Sequence, residues 1–167
     1  LLHTFSSNAK TNFQASEGIY GSFGYDLSTP ALGIIEAEPG VFYVIAVNGG
    51  QHDQGGIWKF DVNGSGYSKV AYYDTLPTGG VGRNPNSPLI KGPNGDLYGV
   101  LIDKGELNNS NDVGHLYKVN LTTQQLEYIS DLESDIAGWA ITGPVCQIVY
   151  NSDLNKIYGT KETFSGG

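Results

Sequence analysis

Few residues in this chain carry side chains suited to chemistry, and they gather in glycine-rich stretches between apolar runs. His52 and Asp53 stand together in Gly49-Gly50-Gln51-His52-Asp53-Gln54-Gly55-Gly56. An imidazole beside a carboxylate can act as a general base or join a metal site; the same stretch also reads as a polar, glycine-flexible loop tip. Arg83, the only arginine, lies in Gly80-Val81-Gly82-Arg83-Asn84-Pro85-Asn86. Its planar fork, with Asn84 beside it, suits a carboxylate-bearing ligand, and a surface ion pair is the alternative. Trp139 and Tyr25, with Tyr20 and Phe23, could stack on a sugar or a flat ligand, or pack beneath a long loop. Asp103, Glu106, Asn111 and Asp112 form an oxygen-rich stretch of the kind that suits calcium, without EF-hand spacing; a solvated loop is the other reading. No cofactor is expected beyond such a calcium-like divalent ion. Gly64-Ser65-Gly66 lacks the frame of a nucleophile elbow, and neither a phosphate loop nor His-Glu-x-x-His is present.

These residues are spread over a chain of 167 residues, about one domain in length. Nine basic residues against 17 acidic ones leave a net charge of −8, which argues against a nucleic-acid partner. The longest apolar run, 41–47, is far shorter than a membrane-spanning helix. The single cysteine, Cys146, permits no internal disulfide and reads as a small buried hydrophobe. Twenty-four glycines point to many turns. The chain contains no methionine and opens on Leu1, so it is expected to be a processed product or part of something longer.

What must position the candidates is an internal repeat. Pro39-Gly40-Val41-Phe42-Tyr43-Val44, Asn94-Gly95-Asp96-Leu97-Tyr98-Gly99 and Leu154-Asn155-Lys156-Ile157-Tyr158-Gly159 align, with their tyrosines 55 and then 60 residues apart. Gly56-Ile57-Trp58-Lys59-Phe60 matches His115-Leu116-Tyr117-Lys118-Val119 at a spacing of 59. Within each copy apolar residues alternate with a period of two, the mark of strands, and clusters such as Gly92-Pro93-Asn94-Gly95 separate the runs. The pattern predicts strands over 32–36, 41–47, 56–62 and 69–74, then 88–91, 96–102, 115–120 and 125–130, then 145–150 and 156–161. Residues 1–6 read as the last strand of a preceding unit.

Four-stranded units at this period are the signature of β-propeller blades, so the expected class is all-β, an antiparallel propeller. A β-sandwich is the alternative. The expected blades span 31–76 and 87–131, with a preceding strand and long loop over 1–30 and a further blade beginning over 144–167. Two blades do not close a ring, so a longer chain or self-association is expected to complete it. Glu36 and Lys91, with Gln147 or a neighbour, fall at aligned places on the innermost strands, where polar groups can line a water-holding channel.

Two likenesses follow. Pro88 to Gly99, followed by Gly114-His115-Leu116-Tyr117-Lys118-Val119, resembles a bacterial extracellular repeat of the pattern "LI-G-dGnlYGtT–GG–GtvFKi", whose opening Leu1-Leu2-His3-Thr4-Phe5-Ser6 also fits. Residues 1–62, with Gly33 to Ala46 and Ile57-Trp58-Lys59-Phe60-Asp61, resemble secreted fungal propellers of the SMP-30/gluconolactonase-like superfamily. Both likenesses imply an exported propeller. The second implies lactone hydrolysis at one divalent metal, or, as in some relatives, metal-free pericyclic chemistry on a small natural product. The Glu, Asn and Asp set of that metal site finds no match here.

Propeller connectivity puts the long stretches 12–30, 48–55, 77–87, 103–114 and 133–144 on one face, where long loops usually carry function. The expected function is therefore a secreted module that binds a small molecule, glycan or protein on that face. An enzyme of the SMP-30-like class and a structural extracellular repeat protein are the rival readings. Three glycosylation sequons, at Asn63, Asn108 and Asn120, fit export; Asn63 and Asn120 fall in equivalent turns.

Overall fold

The computed structural model describes residues 28–48, 54–63, 65–73, 83–103, 115–131 and 147–160. The chain divides into two compact units, Leu1–Tyr73 and Asp74–Gly167. The described residues are all-β and antiparallel, with one short 3-10 turn, Pro93–Gly95.

The first unit holds one four-stranded meander in sequence order: β1 (Ser28–Glu38), β2 (Val41–Asn48), β3 (Gly56–Asp61) and β4 (Ser68–Tyr72). The second holds β5 (Arg83–Pro85), β6 (Ile90–Lys91), β7 (Leu97–Asp103), β8 (His115–Asn120) and β9 (Gln125–Asp131), with β5 and β6 both pairing β7. A separate hairpin, β10 (Ile148–Asn151) and β11 (Lys156–Gly159), completes it.

The two sheets share their register at the aligned residues. Tyr43 lies opposite Lys59 as Tyr98 lies opposite Lys118, and Phe42 opposite Phe60 as Leu97 opposite Val119. The ladder to the last strand slips between Ile57 and Trp58 in one sheet and between Leu116 and Tyr117 in the other, the same step of the alignment. Such bulges add local twist.

The first strand of each sheet departs from the pattern read from sequence. β1 contains the expected 32–36 but begins at Ser28, inside the stretch read as a loop, and its pairing is broken by a bulge between Ala31 and Ile34. Leu32 and Gly33 there have φ of 65° and 88°, which interrupts the alternation that would reveal the strand. In the second sheet the strand along this edge is two pieces: β6 falls within the expected 88–91, and β5 lies in the stretch 77–87 read as a loop. Pro85 and Pro88 have no N–H to give, and an edge is where a sheet tolerates them. The break is bridged from both sides: Asn86 N–H donates to the Val100 carbonyl at 2.9 Å, and Val100 N–H donates to the buried Ser87 hydroxyl at 2.8 Å.

Both faces of each sheet are apolar at the centre. In the first, Val44, Ala46, Trp58 and Phe60 form one cluster, with Trp58 stacked on Tyr67 at 4.6 Å and Phe42 on Phe60 at 5.6 Å. Tyr43, Ile45 and Ile57 are buried on its other face. In the second, Tyr98 and Val100 pack with Ile148 and Ile157 of the hairpin, while Leu97, Leu101, Tyr117 and Val119 are buried on the opposite face. At the first sheet's outer edge the Lys69 ammonium lies over the Tyr72 ring, 4.4 Å from its centroid, a charge on an edge that resists further pairing.

Candidate functional site

The two ends of each sheet differ in kind. At one end the connections are short: 39–40 and 62–67 in the first sheet, 92–96 and 121–124 in the second. At the other end the strands open onto 49–55 and 73–82, and onto 104–114 and 132–147. The antiparallel order alone dictates this, since each strand runs opposite to the one it pairs with.

The short-turn ends are braced by side chains. In the first sheet Asp61 Oδ1 accepts the N–H groups of Asn63 and Ser65, each at 2.9 Å, and its other oxygen accepts the Ser65 hydroxyl. These bonds hold the Asp61 carboxyl below the usual aspartate range, the Ser65 hydroxyl contributing most. Val62 N–H donates to the Gly40 carbonyl at 2.8 Å, tying one turn to the other. In the second sheet Asn120 stands where Asp61 stands, and its Oδ1 accepts from Thr122 and Thr123 at 3.0 and 3.1 Å. Leu121 N–H donates to Asp96 Oδ1 at 3.1 Å, the matching tie. The Asn120 amide also donates to Glu127 Oε1 at 3.0 Å, and Lys118 Nζ meets Glu127 Oε2 at 2.8 Å and Asp96 at 3.7 Å.

This network predicts a pH dependence. The Lys118 hydrogen bond, then that from Asn120, lowers the Glu127 carboxyl below its ordinary value, and the Glu127 bond raises Lys118 above its own. A lowered carboxyl stabilises the fold fully above the unfolded glutamate value and loses that contribution as pH falls through the lowered one. Glu127→Gln is therefore expected to destabilise the chain modestly near neutral pH, and the gap from the parent should close as pH drops through the carboxylate range. Urea midpoints measured across that range test it; a gap that stays constant would assign the effect to shape rather than charge.

The opposite end of the second sheet brings further ionisable residues into register. Arg83 opens β5 opposite Asp103, and His115 opens β8 opposite both Leu101 and Asp131. Register thus puts the backbone positions of Arg83, Asp103, His115 and Asp131 on neighbouring rungs at one end of one sheet. Asn84 is exposed there with φ of 58°, a left-handed conformation that asparagine tolerates better than most residues. His115 is 1% exposed, with its ring 5.8 Å from that of Tyr128. Alternation with Tyr117 and Val119 marks His115 as an inward position, but only its place at the end of the strand shows that a buried imidazole stands where the first sheet has Gly56.

The other candidates fall elsewhere. His52, Asp53, Trp139, Tyr25, Glu106, Asn108, Asn111, Asp112 and Cys146 lie outside the described residues, as do the side chains of Arg83, Asp103 and Asp131. Glu36 and Lys91 occupy matching places, opposite Phe42 and Leu97, and both are exposed. Glu36 Oε1 accepts the Gly40 N–H at 2.7 Å and so braces the first turn. Gln147 precedes β10, and Tyr150, opposite Ile157 as Lys91 is opposite Leu97, takes the matching place in the hairpin. Among the described residues no three His, Cys, Asp or Glu side chains gather closely enough to hold a metal ion, and no helix is long and apolar enough to cross a membrane. No protein-family model and no curated protein matches the chain.

Proposed function

We propose that the two sheets are blades of an exported β-propeller and that the chain binds a polar small molecule, glycan or protein at the ends from which the long connections leave. The matching register and the matching bulges of the two sheets support the blade reading. One observation carries the binding reading. The short-turn ends spend their polar side chains on bracing the backbone, whereas register puts the backbone positions of Arg83, Asp103, His115 and Asp131 at the opposite end of the second sheet. Residue types of this kind at one end of a sheet suit a ligand bearing hydroxyls or a carboxylate. His52 and Asp53 belong to the equivalent connection of the first sheet, 49–55.

A screen of free glycans and small carboxylates by heteronuclear NMR tests this. A ligand is expected to shift the amides of Asp103 and His115, and Arg83→Ala is expected to weaken it. Shifts confined to Gly40, Asp61, Asp96 and Asn120, or a folded chain that binds nothing in the screen, would overturn the reading.

A further inference from the structure

The sequons at Asn63 and Asn120 lie in equivalent turns, but the structure places them on different jobs. Asn120 aligns with Asp61, the residue that caps the turn of the first sheet; Asn63 stands two positions later, where the second sheet has Thr122. The Asn120 side chain is half-buried, accepts two backbone N–H groups through Oδ1, and donates through Nδ2 to a carboxylate already paired with Lys118. Asn63 is exposed, and only its backbone N–H is bonded among the described residues, to Asp61. The neighbouring Ser65 hydroxyl is exposed too, bonded to Asp61 on the surface.

We propose that Asn63 is an acceptor for an N-linked glycan and that Asn120, in the equivalent turn, is not. The modification replaces one amide hydrogen on Nδ2 with a sugar. Nδ2 bonds to the anomeric carbon of an oligosaccharide carried on a lipid diphosphate, the anomeric C–O bond breaks, the lipid diphosphate leaves with the electron pair, and one amide proton is released. At Asn63 the glycan points into solvent from the short-turn end of the first sheet. At Asn120 it would load the atom that holds Glu127. The ranking runs against the sequence, because threonine at the third position of a sequon generally favours transfer over serine. It rests on the reading that the chain is exported.

The test is the 167-residue chain led through the secretory route of a glycosylating eukaryotic host, with site occupancy measured by glycopeptide mapping. Asn63 is expected to be occupied and Asn120 bare. Glu127→Ala removes the acceptor that holds the Asn120 amide and is expected to raise occupancy at Asn120 several-fold. An occupied Asn120 in the parent chain, a bare Asn63, or no change at Asn120 in Glu127→Ala would each overturn the proposal. Circular dichroism of the Asn63→Gln chain checks that the fold survives loss of the sugar. Location of the chain in its own cells is measured separately: a chain that is never exported there overturns the export reading, and the host experiment still ranks the two sites.

Discussion

Truncating Trp58 to alanine is expected to cost about 3–5 kcal/mol, the usual range for deleting a buried large aromatic. Folded domains are stable by only about 5–15 kcal/mol, so the loss should move the urea midpoint far or leave the first sheet unfolded. The ring is 5% exposed, lies in one cluster with Val44, Ala46 and Phe60, and stacks on Tyr67 at 4.6 Å. Removing it opens a void on one face of the sheet and leaves Tyr67 without its stacking partner. Trp58→Phe separates packing from polarity. The indole Nε1 is buried and meets no acceptor among the described residues, so phenylalanine gives up volume but also relieves an unsatisfied donor. Its cost should be a small fraction of the alanine cost. Equal losses in the two variants, read by circular dichroism in urea, would mean that the indole nitrogen matters more than the ring.

The register of Trp58 and Tyr117 also shows which parts of the fold were readable from residues alone. The pattern located β2, β3 and β8 to within a residue or so: β2 is one unbroken apolar run, and β3 and β8 keep a period of two over most of their length. It caught only part of the first strand of each sheet. Ala31 pairs with Ile45 and Ile34 with Val44, so two residues stand off the ladder and the period slips. In the second sheet the prolines split the strand, and the Ser87 hydroxyl takes over as an acceptor, which no pattern of apolar residues encodes. The candidate site was legible in part. Strand order puts the long connections at one end, and Arg83 was singled out for its type, but its place opposite Asp103 comes from β5, a strand the pattern did not contain. The different duties of Asn63 and Asn120 were invisible for a related reason. A sequon marks a tripeptide, whereas capping depends on where the hairpin turns, and here the two asparagines are two positions out of phase.

Gly99→Val is the second large effect expected, and the repeat itself supplies the logic. Val44 and Gly99 hold the same place, opposite Trp58 and Tyr117 respectively. The first sheet accommodates valine because the Trp58 ring stacks on Tyr67. In the second sheet the Tyr117 phenol lies across Gly99. A Cβ added there would come to 2.6 Å from Cζ and 2.7 Å from Cε1 of that ring, and closer still to the hydroxyl oxygen. Tyr117 is fully buried, so moving its ring disturbs the packing around it. The substitution should therefore cost at the upper end of the about 1–3 kcal/mol usual for overpacking, although valine favours strands and glycine does not. Tyr117→Ala should cost about as much as other buried aromatic truncations, about 3–5 kcal/mol. In the double variant the valine occupies part of the space left by the phenol, so the combined loss should fall short of the sum by about 0.5–3 kcal/mol, the span of coupling between contacting residues. Urea midpoints for the four proteins of the cycle measure that term. Strict additivity would show that Gly99 is glycine for a reason other than the ring lying over it, and the stacking of Trp58 on Tyr67 would then no longer explain why the two sheets differ at this rung.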